Sequence, residues 1–474
     1  MRHFLILLLS VTFFSCSEAH QKLTDSCALP RFANDKDVDC GYLEVPENRN
    51  DPDSRTIQLA YLVLKATDQQ AKQDPIVYLQ GGPGGATLPM ANFFANSRLR
   101  RDRDFILMDQ RGTGSSHALC SDLGDKLLAV LAQDLSPEEE LAALQKAAAA
   151  CKATLQADGV DQAGYTTIQN AQDLDDLRKA LGYEKWNLFG GSYGSRLALA
   201  YMRDFPEHTR TSVLSGMFPP QTNLYENFIS NLKQSLFRVF ETCEADGYCN
   251  KRYPDLKATY FEVLEELKTN PVTFRWQGEP FVLNAQDFLL FTQQMLYTRN
   301  TYQQIPAYVM AVKNKDQRGI LNGVQPLAGR ARLINIAMNW SFNAHDELTF
   351  SGDADMKANL EANAEMKPGP AFFMSDPAIL EKWHAHRAPA YVNEPVVSDI
   401  PSLIANGAFD PITPPANALE TMKTLKNSFY VEFPWEGHTV FGGCYFNMVS
   451  NFLDDPATEP DSDCARRKVR INWN

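Results

Sequence analysis

The chain has 474 residues, 44% of them hydrophobic and 11% aromatic, which supports a large core and excludes a disordered chain. Its formal charge of −13 excludes the basic surface that nucleic-acid phosphates require. The two local basic clusters, 98–103 and 466–470, carry no interleaved aromatic residues and read as solvated faces.

Arg2 followed by the apolar run 4–14 reads as an export signal, because eleven residues fall short of the roughly 20 needed to cross a bilayer as a helix. Two cleavage readings stand. Ser17-Glu18-Ala19 is a small-x-small site for ordinary signal peptidase, whereas Phe14-Ser15-Cys16 resembles a bacterial lipoprotein signal with Cys16 as the lipidated residue. Either places the mature protein outside the cytoplasm: in the cell envelope as a periplasmic or membrane-anchored lipoprotein, or secreted. Removing Cys16 from the nine cysteines leaves eight, an even number that in an exported chain implies disulfides. Eight cysteines allow 105 connectivities. Pairing of sequence neighbours predicts 27 with 40, 120 with 151, 243 with 249, and 444 with 464. No C-x-x-C or C-x-x-H spacing supports zinc.

Strands are predicted over 56–64, 75–80 and 105–108, the last two ended by turn clusters. These runs lack strict alternation, as in a parallel sheet buried on both faces. Ser136-Pro137-Glu138-Glu139 is a capping box that opens a helix to about 157. An amphipathic helix over 170–181 ends on Gly182, followed by a strand over 185–189, a tight turn, a helix over 193–205 and a strand over 211–214. Helical periodicities then dominate, at 224–240, 256–268, 285–296 and 307–314, before strand character returns at 402–405 and 428–433. The predicted organisation is a signal segment 1–19, an α/β core 27–218, a mainly helical insert 219–395, and the returning core 396–474.

Gly190-Gly191-Ser192-Tyr193-Gly194 is a G-x-S-x-G motif between a predicted strand and a predicted helix, the setting of a nucleophile elbow. An ordinary glycine turn for phosphates is the alternative, but no Lys-Ser/Thr follows. A serine nucleophile needs a base. Asp410 follows the strand ending at 405, and His438 follows the strand ending near 433 and is the one histidine after Asp410. The order Ser192, Asp410, His438 matches the chain order of this class of triad. The Tyr193 backbone N–H at the helix start, and an N–H of the glycine turn 81–85, are the expected oxyanion donors. His384-Ala385-His386 has no nearby third ligand and reads as a solvated pair. The sequence calls for no cofactor and no metal.

The turn Gly81-Gly82-Pro83-Gly84-Gly85, the segment Asp109-Gln110-Arg111-Gly112-Thr113-Gly114, the elbow, Asp410 and Gly437-His438-Thr439 together resemble the prolyl aminopeptidase and tripeptidyl aminopeptidase family of α/β-hydrolases. Cys40-Gly41-Tyr42-Leu43-Glu44-Val45-Pro46 and Asp173-Leu174-Asp175-Asp176-Leu177-Arg178 resemble its tripeptidyl branch. The resemblance covers most of 27–215 and 396–450. It implies an α/β-hydrolase fold, mostly parallel, with the insert as a helical cap. It implies Ser192, Asp410 and His438 as the triad, Gly82 and Tyr193 as oxyanion donors, and Arg111 as a structural residue behind the site. Gln80 departs from the histidine usual before the glycines of the prolyl branch. The implied activity is a serine exopeptidase acting on peptides with a free N-terminus. Carboxylates in the cap are expected to hold that ammonium; Glu226, Glu241, Glu244, Glu262, Glu265 and Glu266 are candidates. An esterase on the same triad and a non-catalytic envelope binding protein are the alternative readings.

Overall fold

The computed structural model describes residues 23–473, except 25, 69, 368–375 and 384–385. The predicted signal segment and Cys16 lie outside the described residues, as does His384.

Among the described residues, nine strands form one sheet. In chain order they are β1 (Leu23–Thr24), β2 (Val38–Pro46), β3 (Thr56–Leu64), β4 (Lys72–Leu79), β5 (Arg103–Met108), β6 (Trp186–Gly191) and β7 (Thr209–Ser215). A separate hairpin of β8 (Val272–Trp276) and β9 (Glu279–Leu283) follows, and the sheet resumes with β10 (Ser402–Gly407) and β11 (Ser428–Phe433). The spatial order is β1-β2-β3-β5-β4-β6-β7-β10-β11. From β5 to β11 all pairings are parallel. The expectation of parallel pairing fails at β3, which runs antiparallel to both β2 and β5. Its side chains are buried along most of its length as predicted, but burial does not encode strand direction. β2 was not foreseen, because Asp39, Cys40 and Gly41 interrupt its apolar run.

Alternation within the central strands divides the core into two faces. Val77, Ile106 and Leu188 pack with Leu174 and Leu177 of helix Thr167–Leu181 and Leu197 of helix Tyr193–Asp204. Tyr78, Phe105 and Phe189 pack with Phe94 and with Val449 and Phe452 of helix Gly443–Asp454. Helix Pro137–Ala157 carries the predicted capping box, and Gly182 ends helix Thr167–Leu181 in the left-handed region at φ 75°.

Between β7 and β10 the chain is mainly helical, with the β8–β9 hairpin among the helices. Leu224–Ala245, Leu256–Leu267, Ala285–Met295, Ile305–Lys313, Gln317–Leu333 and Ile336–Phe342 are the elements that matter for the site. Tyr260, Phe288 and Tyr308 interlock through ring contacts at 4.8 and 5.5 Å in the middle of this segment. The segment is fastened directly to the sheet's loops: Asn335 N–H donates to Gly84 O (2.8 Å), and Asn339 Nδ2 donates to Pro83 O (3.1 Å). Disulfides join Cys27 to Cys40, Cys120 to Cys151, Cys243 to Cys249 and Cys444 to Cys464, the neighbour pairing.

One buried carboxyl makes the fold sensitive to pH. Burial pushes Glu140 up to about 7, and the nearby Asp376 adds to the shift. The unfolded chain therefore releases this proton before the folded chain does. Stability falls as pH rises from the ordinary glutamate value to about 7, then levels off; the full contribution is about 3 kcal/mol. Urea titrations at pH 4.5 and 8 should show Glu140→Gln gaining stability relative to the parent at pH 8 but not at 4.5. Equal differences at both pH values would contradict this.

Candidate active site

β6 ends at Gly191 and the next helix begins at Tyr193, so the whole turn is Ser192. Its backbone sits at φ 56°, ψ −125°, a conformation that costs a side-chain-bearing residue roughly 1–3 kcal/mol. The flanking glycines have a steric cause. A Cβ on Gly190 would lie 2.3 Å from Gly194 O, and one on Gly194 would lie 1.9 Å from Leu79 O. The turn is pinned by Ser192 N–H donating to Ser215 O (2.8 Å) and by Ser195 Oγ donating to Ser192 O (2.6 Å).

The acid and the imidazole come from loops at the same end of the sheet, beyond β10 and β11. Asp410 is 2% and His438 4% exposed, so their interaction is shielded from water. His438 Nδ1 lies 2.9 Å from both Asp410 oxygens. The Asp410 carboxylate also accepts the N–H groups of Ile412 (2.9 Å) and Thr413 (2.8 Å) and the Thr413 hydroxyl (2.8 Å). These bonds fix the carboxylate, which in turn orients the ring. The other side of the loop is held by His438 N–H donating to Tyr297 O (2.8 Å), and the Tyr297 ring packs edge-on to the imidazole at 4.8 Å. Ser192 and His438 line one cavity, and among the described residues the serine hydroxyl makes no hydrogen bond.

The Gly82 and Tyr193 backbone N–H groups also have no hydrogen-bond partner among the described residues. Gly82 adopts φ 136°, which only glycine takes readily, and lines the cavity with Ser192. The loop that carries it is tied down by Asp109, whose buried carboxylate accepts the N–H groups of Thr87 (2.6 Å), Leu88 (2.8 Å) and Ser115 (2.8 Å). Burial raises the Asp109 pKa, and the three N–H groups oppose that rise. Arg111 is fully buried and bidentate to Asp173 at 2.7 Å on both arms.

The cavity has a volume of about 270 Å³ and runs from Ser192 between the glycine loop and the helical segment. None of the six candidate glutamates lines it. Glu241, Glu244, Glu262, Glu265 and Glu266 are exposed on helix faces, and Glu226 is hydrogen-bonded to Asn223. The expected ammonium-binding carboxylates are therefore not on this wall. Their helical periodicity put them on the segment, but on its solvent side. His386 is exposed, away from the cavity lining.

Sequence reasoning missed Thr413, Tyr297 and Arg330. Thr413 was available as the hydroxyl residue three places after Asp410, the spacing of a side-chain-stabilised turn. Tyr297 reaches the cavity from the turn after helix Ala285–Met295 and Arg330 from helix Gln317–Leu333, and neither leaves a local signal.

A serine at a strained strand-to-helix turn, with an aspartate and a histidine on loops beyond later strands of a mostly parallel sheet, defines an α/β hydrolase. The chain belongs to the alpha/beta hydrolase fold family, whose model matches residues 74–442. It is 30% identical over 194 residues to the tripeptidyl aminopeptidase of Streptomyces lividans, a match covering 39% of this chain and 36% of that protein. It is 26% identical over 468 residues to serine protease Hip1 of Mycobacterium tuberculosis, covering 89% of this chain and 86% of that protein. It is 32% identical over 149 residues to the proline iminopeptidase of Xylella fastidiosa, covering 30% and 32%.

The elbow geometry makes a stability prediction independent of activity. Ser192→Gly relieves the positive φ, whereas Ser192→Ala keeps it. Thermal or urea unfolding should show the glycine variant more stable than the alanine variant by about 1 kcal/mol. The reverse order would contradict the strained turn.

Proposed function

We propose that the protein is an exported serine exopeptidase that releases N-terminal residues or short peptides through Ser192, His438 and Asp410. The observation that carries this reading is the buried Asp410–His438 contact at 2.9 Å, opening onto the cavity that holds the elbow serine. It is supported by the peptidase names of the relatives, one of which aligns along 89% of this chain. The mainly helical segment 219–395 is read as the cap over that cavity. Four disulfides fit an oxidising compartment, in keeping with an N-terminal export signal or a lipid on Cys16.

Ser192 Oγ attacks the peptide carbonyl carbon while His438 Nε2 takes the hydroxyl proton. Asp410, bonded to Nδ1, fixes the ring and stabilises its protonated form. The carbonyl oxygen becomes an oxyanion facing the Gly82 and Tyr193 N–H groups. Collapse breaks the C–N bond, and the departing amine takes the proton from His438. Water, deprotonated by the same imidazole, then attacks the Ser192 ester and releases the carboxylic acid product.

A second reading, an esterase or other small-molecule hydrolase on the same residues, is favoured by the absence of carboxylates from the cavity lining. A buried substrate ammonium would need an anionic partner there. The two readings divide on substrate. Cleavage of free-amine peptides in preference to amino-blocked peptides and simple esters is expected for the exopeptidase, and the opposite preference overturns it. On the preferred substrate, Ser192→Ala should abolish turnover and labelling by a serine-directed phosphonate. Asp410→Asn should lower kcat by roughly 10³–10⁴-fold. Full activity in either variant would overturn the triad.

A further inference from the structure

Arg330 stands in the last turns of helix Gln317–Leu333 and lines the cavity that holds Ser192. Its guanidinium lies over the Tyr297 ring, 3.5 Å from the centroid, and Tyr297 in turn packs against the His438 imidazole. The cation is thus one aromatic ring away from the candidate base. Arg330 Nε donates to Gln294 Oε1 at 2.7 Å, and Gln294 is itself tied to Gln293 at 2.8 Å. This contact and the ring fix the plane of the guanidinium. Its two terminal nitrogens have no hydrogen-bond partner among the described residues, and no described carboxylate forms an ion pair with it.

The buried arginines are treated differently. Arg103 is paired with Asp74, Arg111 with Asp173, Arg178 with Asp175, and Arg196 with Glu347. Arg100 directs its donors to the carbonyls of Lys65, Ala95 and Asp37. Arg330, half-buried at the cavity, differs from these five in having terminal donors without acceptors among the described residues. Burial lowers its pKa, and no neighbouring carboxylate offsets that loss. A position near a helix C-terminus favours a cation, but that effect is satisfied on the helix surface and does not require the side chain to face the cavity. A planar fork of free N–H donors on a wall lined by no carboxylate matches one chemical group best, a carboxylate bound through both oxygens.

Resting on the serine peptidase reading, we propose that Arg330 binds a substrate carboxylate, so that preferred peptides carry an anionic group within a residue or two of the scissile bond. The carboxylate has two sources, an Asp or Glu side chain or the free C-terminus of a short peptide. Arg330 acts on specificity and takes no part in proton transfer.

The test uses four otherwise identical short peptides, with Glu or Gln beside the scissile bond and a free or amidated C-terminus. The parent protein should cleave a carboxylate-bearing member with kcat/KM at least tenfold above its amide counterpart. The Glu/Gln and acid/amide pairs tell which source is used. Arg330→Met should reduce that ratio to near one, and Arg330→Lys should keep an intermediate ratio. No preference in the parent, or an equal loss by Arg330→Met on all four peptides, would overturn the proposal. Binding is read separately in Ser192→Ala by the thermal shift that the same peptides produce. A shift with the carboxylate peptide that is absent with its amide, and absent after Arg330→Met, supports the proposal even if the parent cleaves none of them. That last result would count against the peptidase reading alone. No difference in shift between acid and amide counts against Arg330.

Discussion

The crowding at the end of β6 is the constraint on which the site depends. A strand that must pass directly into a helix with one intervening residue brings the backbones of Gly190, Gly194 and Leu79 within distances that leave no room for a Cβ. The residue at the apex is then forced to positive φ and projects its side chain away from the sheet, toward the loops. The helix that starts at once turns its first N–H groups toward the same space. A raised hydroxyl and a free donor beside it are two outcomes of one backbone geometry.

Holding loops around that apex takes buried charge. Asp109 gathers the N–H groups of Thr87 and Leu88, just after the glycine loop, and of Ser115 from the loop after β5, and Asp173 holds the buried Arg111. The helical segment is tied in by the same means. Arg196, one turn along the elbow helix, forms a buried pair with Glu347, whose second oxygen accepts the Leu224 N–H at 2.8 Å. Thr167 bridges the Tyr193 hydroxyl (2.7 Å) to Asp346. Removing one partner of such a pair typically costs 3–5 kcal/mol, because the other charge is left stranded. These groups do more to fix the relative placement of sheet loops and helices than to add net stability, since a buried pair barely repays its own desolvation.

What could be read from the sequence was what local sterics and order determine. The glycines of the elbow are required by contacts within a few residues, so the motif announces itself. Asp410 and His438 are legible because each follows a recognisable strand and the chain order limits the choice. The capping box at Ser136 and the glycine stop at 182 are likewise local. Strand direction was not legible: β3 looks the same whether its neighbours run parallel or antiparallel. Nor was the orientation of helices in the inserted segment. The glutamates at 241, 244, 262, 265 and 266 satisfy a helical pattern equally well facing solvent or facing the cavity, and tertiary packing chose solvent. Arg330 is the converse case. Nothing within several residues distinguishes it from other helix-face arginines, and its meaning comes from what three separate segments fail to place beside it.

The charge distribution follows from the same separation of near and far. The net charge of −13 is spread over an outer surface where water and salt reduce interactions beyond about 8–10 Å. Inside the cavity the field is set by the nearest groups, in a medium that screens far less. There the wall offers a guanidinium, an imidazole, aromatic rings and amide side chains, with no carboxylate among the lining residues. An acidic surface alone suggests a preference for cationic peptide termini. The single uncompensated charge near Ser192 has the opposite sign, and at contact distance it outweighs the screened surface. On the proposed reading of Arg330, entry into the cleft and selection at the reacting bond respond to charges of opposite sign, and a peptide with an ammonium at one end and a carboxylate close to the bond cleaved suits both.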